Sequence, residues 1–140
     1  MHYYVLTWRT AVDLSADKPD PNVVIEDHDM NTWGIVQVGT GFDNRFDDTT
    51  GFALYKTKVD IAADGNNKVI CFKDITANKI EIYMNGEQKY KGEGKWGRKV
   101  EIPVSGDISG EIELAVIIES TDVADKAGIT KGVVIINKAN

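Results

Sequence analysis

KIEIYMNGEQKYKG, residues 79–92, is the stretch on which the fold turns. Ile80, Ile82 and Met84 fall on one face of an extended chain, and Lys79, Glu81 and Tyr83 on the other. That period of two is the pattern of a strand with one buried side. Asn85-Gly86 follows, two residues that tolerate the positive φ a tight hairpin turn needs if its strands are to keep their natural twist. The stretch therefore predicts a β-hairpin with Ile80, Ile82 and Met84 facing a core.

The rest of the chain repeats this grammar. YYVLTWR, NVVIE, WGIVQVG, GFALYKTKVDI, KVICFKDI, KVEIPV, EIELAVIIES and VVIIN are short β-patterned runs. They are separated by turn signals such as DGNN at 64–67 and SGDISG at 105–110. Val100, Ile102 and Val104 alternate with Lys99, Glu101 and Pro103, and Ile112, Leu114, Val116 and Ile118 line one side of the next run. Pro103 cannot donate to a ladder, which predicts an edge position for its strand. No window carries a sustained helical stripe, and DVADKAG has room for one short turn of helix. Many short strands with turns between them predict an all-β chain, an antiparallel two-sheet β-sandwich or jelly roll. SADKPDPN breaks the pattern near the start. It divides residues 1–22, an N-terminal strand and linker, from a sandwich over 23–140.

Composition narrows the function. With 140 residues the chain can bury a real core as one domain. It carries 22 acidic and 16 basic residues, and the net charge of −6 would repel a phosphate backbone. Nucleic acid is not an expected partner. No apolar run approaches the roughly 20 residues needed to cross a bilayer, so membrane insertion is not expected. MHYYVLTWRT does not read as a signal peptide. Either the protein is cytoplasmic or this is a segment of a longer secreted one. Cys71 is the single cysteine, so neither an intramolecular disulfide nor a cysteine zinc site can form. Within KVICFKDI it reads as a buried, inert thiol.

The chemistry-bearing residues give little support to catalysis. EDHDMN offers Glu26, Asp27, His28 and Asp29, but in extended chain at most two of these converge. FDNRFDD, residues 42–48, holds in Asp43, Asn44, Asp47 and Asp48 oxygen ligands of the kind calcium takes, without the spacing or terminal Glu of an EF-hand loop, and calcium stays open there. No metal or cofactor is expected. There is no GxSxG, and no nucleophile sits beside an activating base. Aromatic residues beside polar ones are more suggestive, because sugar rings stack C–H faces on aromatics while their hydroxyls take hydrogen bonds. Asn44, Arg45 and Phe46 form one such group, Trp96 and Arg98 another, and these five are the candidate carbohydrate contacts. Trp33, just before an apolar run, reads as a core aromatic; Trp96, flanked by Gly94 and Gly97, fits a core or an exposed position.

Taken in order, Asn31-Thr32-Trp33, Gly51-Phe52-Ala53-Leu54-Tyr55-Lys56 and Tyr83-Met84-Asn85-Gly86 form a distinctive series. Over roughly residues 23–137 the chain resembles the jelly-roll, galactose-binding-like accessory domain of β-galactosidase-type glycoside hydrolases. The segment after the hairpin, KYKGEGKWGRKVEIPVSGDISG, departs from that pattern. The resemblance implies a non-catalytic domain packed beside a catalytic barrel of the same parent protein, with loops that shape carbohydrate binding. It implies a secreted or periplasmic parent, and a galactoside or other glycan as ligand. Two other readings stay open: an independent carbohydrate-binding module with a sugar site at its loop ends, and a protein-interaction sandwich.

Overall fold

The computed structural model describes residues 2–5, 7–11, 18, 20–21, 33–37, 51–94, 97–121, 128–129 and 133–138. Within them there is no helix, and eleven strands form two antiparallel sheets. In chain order these are β1 (His2–Val5), β2 (Thr7–Ala11), β3 (Trp33–Gln37), β4 (Gly51–Ile61), β5 (Lys68–Thr76) and β6 (Lys79–Met84). They continue with β7 (Glu87–Glu93), β8 (Arg98–Val104), β9 (Gly110–Ser120), β10 (Gly128–Ile129) and β11 (Val133–Asn137).

The larger sheet, here sheet B, runs β3-β2-β4-β9-β6-β7. In the smaller, sheet A, β5 pairs with β8 along one edge and with β11 and then β10 along the other, and β1 pairs with β11. β1 and β2 thus lie N-terminal to the Pro-rich break yet join strands on its far side, one in each sheet.

The 79–92 hairpin forms as its sequence requires. Ile80 and Ile82 are fully buried and Met84 nearly so. Asn85 and Gly86 both take positive φ, 51° and 82°, the pair of left-handed residues a two-residue turn needs. The Asn85 side chain and backbone also exchange hydrogen bonds of 2.8 and 2.9 Å with the Glu113 backbone, which ties the turn to β9.

Sheet B contributes Tyr55, Ile61, Ile80, Ile82, Met84, Ile112, Leu114, Val116 and Ile118 to the shared core. Sheet A faces them with Ile70, Phe72, Ile75, Val100, Ile102, Val104, Ile129, Val133 and Ile135. Along β5 the inward positions would fall at 70, 72 and 74, but the register shifts between Phe72 and Ile75, so Ile75 is buried. An irregularity of this kind re-aims a side chain without breaking the sheet. Pro103 lies on β8, which among the described residues pairs with β5 alone and so forms an edge, and Cys71 is buried on β5. The sequence-predicted strand at 22–26 and the turn at 122–127 lie outside the described residues.

Candidate functional site

Of the five candidate carbohydrate contacts, Arg98 alone is described; Asn44, Arg45, Phe46 and Trp96 lie outside the described residues, as do EDHDMN and FDNRFDD. Arg98 opens β8, and its side chain is half-buried. Its Nη2 donates to the Gly94 carbonyl and, at 3.4 Å, to the Ala77 carbonyl. The guanidinium therefore ties the β7–β8 connection to the β5–β6 turn. Tyr90 and Arg98 both lie over Gly92, where an added Cβ would come within 2.9 Å of Arg98 Nη1 and nearer still to the Tyr90 hydroxyl. Gly94 has φ 127°, and its amide donates to the Asn78 carbonyl at 2.8 Å. The connection that carries Trp96 is held at both of its described ends.

Strand register places this connection at a definite end of the sandwich. Glu93 pairs with Lys79, Lys79 with Glu119, and the adjacent Ser120 with Gly51, the residue that follows the 38–50 stretch. Gly51 and Gly94, where the 94–97 connection begins, are thus at the same end of sheet B. Asp74, on β5, joins them there: a Cβ on Gly97 would meet its Oδ1 at 2.5 Å.

A second feature escaped sequence reasoning. The outer face of sheet B holds its own apolar cluster, Leu54, Ala115 and Ile117, with Phe52 and Tyr83 packed against it. Leu54 and Ile117 are buried although they point away from the core. The described residues show chain crossing this face. Lys56 Nζ donates to the Pro21 carbonyl at 2.7 Å and pairs with Glu113 at 2.7 Å, and Lys18 pairs with Glu81 at 2.5 Å. Lys18 and Pro21 thus mark a strap anchored on β6 and β4. A signal was present in the sequence: Phe52-Ala-Leu-Tyr55 and Ala115-Val-Ile-Ile118 are apolar at both parities, as a strand buried on both sides must be.

Electrostatics locks one end of the strap. Burial alone would raise the Glu81 carboxyl, but hydrogen bonds from Lys18 and Tyr83 outweigh it and hold the group below its usual range. The same hydrogen bond raises Lys18, and burial followed by the bond to Glu81 raises the Tyr83 phenol. Gln88 Nε2 donates to Glu81 Oε1 at 2.9 Å and completes the cluster. Among the described residues no group of three or more His, Cys, Asp or Glu could hold a metal ion.

No protein-family model matches the sequence, and no curated protein sequence matches it. Solved structures do match its fold, among them β-glucuronidases and a β-glycosidase of which this chain covers only a part. A β-glucuronidase from Faecalibacterium prausnitzii superposes with a TM-score of 0.74 at 17% identity, over 99% of this chain and 31% of its own. A β-glucuronidase from an uncultured Clostridium sp. gives 0.75 at 15% identity, over 100% of this chain and 29% of its own. A β-glycosidase from Bacteroides vulgatus gives 0.71 at 16%, over 97% and 20%. At these identities the likeness is one of fold. The sequence had suggested β-galactosidases; two of these three enzymes are β-glucuronidases.

Proposed function

We propose that this chain is a non-catalytic accessory domain of a multidomain glycoside hydrolase, a galactose-binding-like jelly roll packed beside the catalytic domain of the same parent protein. One observation carries the reading. The sandwich coincides almost end to end with part of several glycosidases, yet fills only 20–31% of the three compared above. The sequence supports the non-catalytic half, since it supplies no nucleophile beside an activating base.

On this reading, the end of the sandwich bearing Arg98 and the 94–97 connection is the rim turned toward substrate. Asn44, Arg45, Phe46, Trp96 and Arg98 are the residues proposed to shape carbohydrate binding, and Arg98 also fixes the β7–β8 connection through the Gly94 and Ala77 carbonyls. The parent enzyme acts on a β-linked glycoside, a galactoside or a uronide, outside the cytoplasm. The boundary at residue 22 is a change in sequence pattern within a domain whose first two strands precede it.

The DNA on either side of the coding segment tests this directly. A glycosidase catalytic domain is expected in the same reading frame. A solitary frame with no such domain adjoining it would overturn the reading.

A further inference from the structure

The tip of the 79–92 hairpin carries chemistry as well as shape. Asn85-Gly86 is the one Asn-Gly step in the chain, and both residues are exposed. Asparagine before glycine is labile in water, because Gly86 has no side chain to shield its amide nitrogen from the Asn85 side-chain carbonyl. In the folded chain two features hold the reacting atoms apart. Beyond the Met84–Leu114 pair, the Asn85 amide donates to the Glu113 carbonyl at 2.9 Å, and the Glu113 amide donates to Asn85 Oδ1 at 2.8 Å. The Asn85 side chain thus stands in for a backbone carbonyl and extends the β6–β9 ladder by one pair. The second feature is the backbone. Asn85 has φ 51°, in the left-handed region, where ψ is about +47°. That ψ turns the Gly86 nitrogen to the far side of the Cα–C bond from Cβ, whereas ring closure needs the two on the same side.

We propose that Asn85 is a site of covalent modification by water, gated by release of the hairpin tip from β9. Once the Glu113 bonds break and the turn leaves the left-handed region, the Gly86 nitrogen attacks Asn85 Cγ. The nitrogen loses its proton, Nδ2 departs as ammonia, and a succinimide ring closes. Water then opens the ring at either carbonyl, leaving an aspartyl or an isoaspartyl residue. The net change is one water taken up and one ammonia released. In the isoaspartyl form the main chain runs through Cβ, which lengthens a two-residue turn by a carbon and keeps it from reclosing as before. A transient opening of the tip is thereby made permanent. Gln88, whose side chain donates to Glu81 at 2.9 Å, lies just past the turn, so the change reaches the cluster that anchors the strap. The site belongs to the sandwich itself and stands or falls apart from the accessory-domain reading.

The test follows Asn85 by peptide-map mass spectrometry during incubation near neutral pH, in the 140-residue chain and in the free peptide of residues 79–92. The peptide is expected to convert at least about tenfold faster than the folded chain. Two truncations of buried residues on β6 then separate local release from global unfolding. Met84→Ala loosens the pair with Leu114 beside the turn, and Ile80→Ala loosens the pair with Ile118 toward the other end of the strand. Compared at equal global stability, Met84→Ala is expected to convert about fivefold faster than Ile80→Ala, with exchange of the Glu113 amide quickened alongside. Met84→Val replaces Met84→Ala where the latter does not fold. Equal rates in the chain and the peptide overturn the proposal. So does equal acceleration by the two truncations, which makes global unfolding the route, or a peptide that converts while neither the folded chain nor its Met84 variant does.

Discussion

The two sheets share one core but differ on their outer faces. On sheet B, Leu54, Ala115 and Ile117 are buried beneath chain that Lys56 and Glu81 anchor from below. On sheet A, Val69, Cys71 and Val134 are also buried, but they adjoin Ile136, which is 40% exposed. A cavity of about 290 Å³ opens there between Cys71, Ile136 and the Lys99–Glu101 pair, whose side chains are themselves exposed. Apolar residues at outward positions thus have two fates. On sheet B they form a second small core under the described strap, and on sheet A, among the described residues, one large side chain, Ile136, is exposed. Burial on both sides stiffens a sheet, whereas one open side leaves it available for contact.

Truncation should separate the two faces most strongly. Leu54→Ala removes a side chain that is 1% exposed, and a loss of about 2–5 kcal/mol is expected in chemical denaturation. Ile136→Ala, on the other face, should change stability by about 0.5 kcal/mol or less. Equal effects at the two positions would erase the distinction.

The strap's anchor gives the next effect. Lys56→Met keeps the aliphatic stem but deprives Glu113 and the Pro21 carbonyl of their donor, at an expected cost of about 1–3 kcal/mol. Hydrogen exchange should quicken at the amides of the described strap residues Lys18 and Asp20 before it quickens on β5. Uniform exchange across the domain would mean that the strap is no separate unit.

Acid should loosen sheet B's outer face first. The Glu81 carboxyl is depressed in the folded state, so the unfolded chain takes up its proton at a higher pH than the folded one. Its contribution is therefore complete above the ordinary glutamate pKa of about 4.3, and it is lost as pH falls through the lower folded value. Because Lys18 is 47% exposed, that contribution should be about 1 kcal/mol or less. Glu81→Gln should flatten the acid limb of a stability–pH curve; an unchanged limb would show that Glu81 carries none of it.

The smallest effect concerns Cys71, which lies beside exposed Ile136 yet is itself 4% exposed. Its thiol should react with a maleimide only as fast as the sheet opens. Labelling at the rate of a free thiol would place Cys71 at the surface.

Much of this architecture could be read from local pattern. The Asn85-Gly86 turn, the inward Ile80, Ile82 and Met84, and the edge position of Pro103 each follow from two or three neighbouring residues. The strap could not be read that way. Lys56 looks like a solvent-facing charge in GFALYKTKVDI, and its burial goes with partners far away in sequence, the Pro21 carbonyl and Glu113 among them. Arg98 was legible as a polar residue on a Gly-flanked loop, but its bonds to the Gly94 and Ala77 carbonyls depend on how three connections meet.

The accessory-domain reading meets its most direct test in a hydrolysis assay of the purified 140-residue chain with p-nitrophenyl β-galactoside and p-nitrophenyl β-glucuronide. No p-nitrophenol should be released above the buffer rate at any pH at which the chain is folded. Turnover that one carboxylate substitution abolishes, with the fold intact, would contradict it.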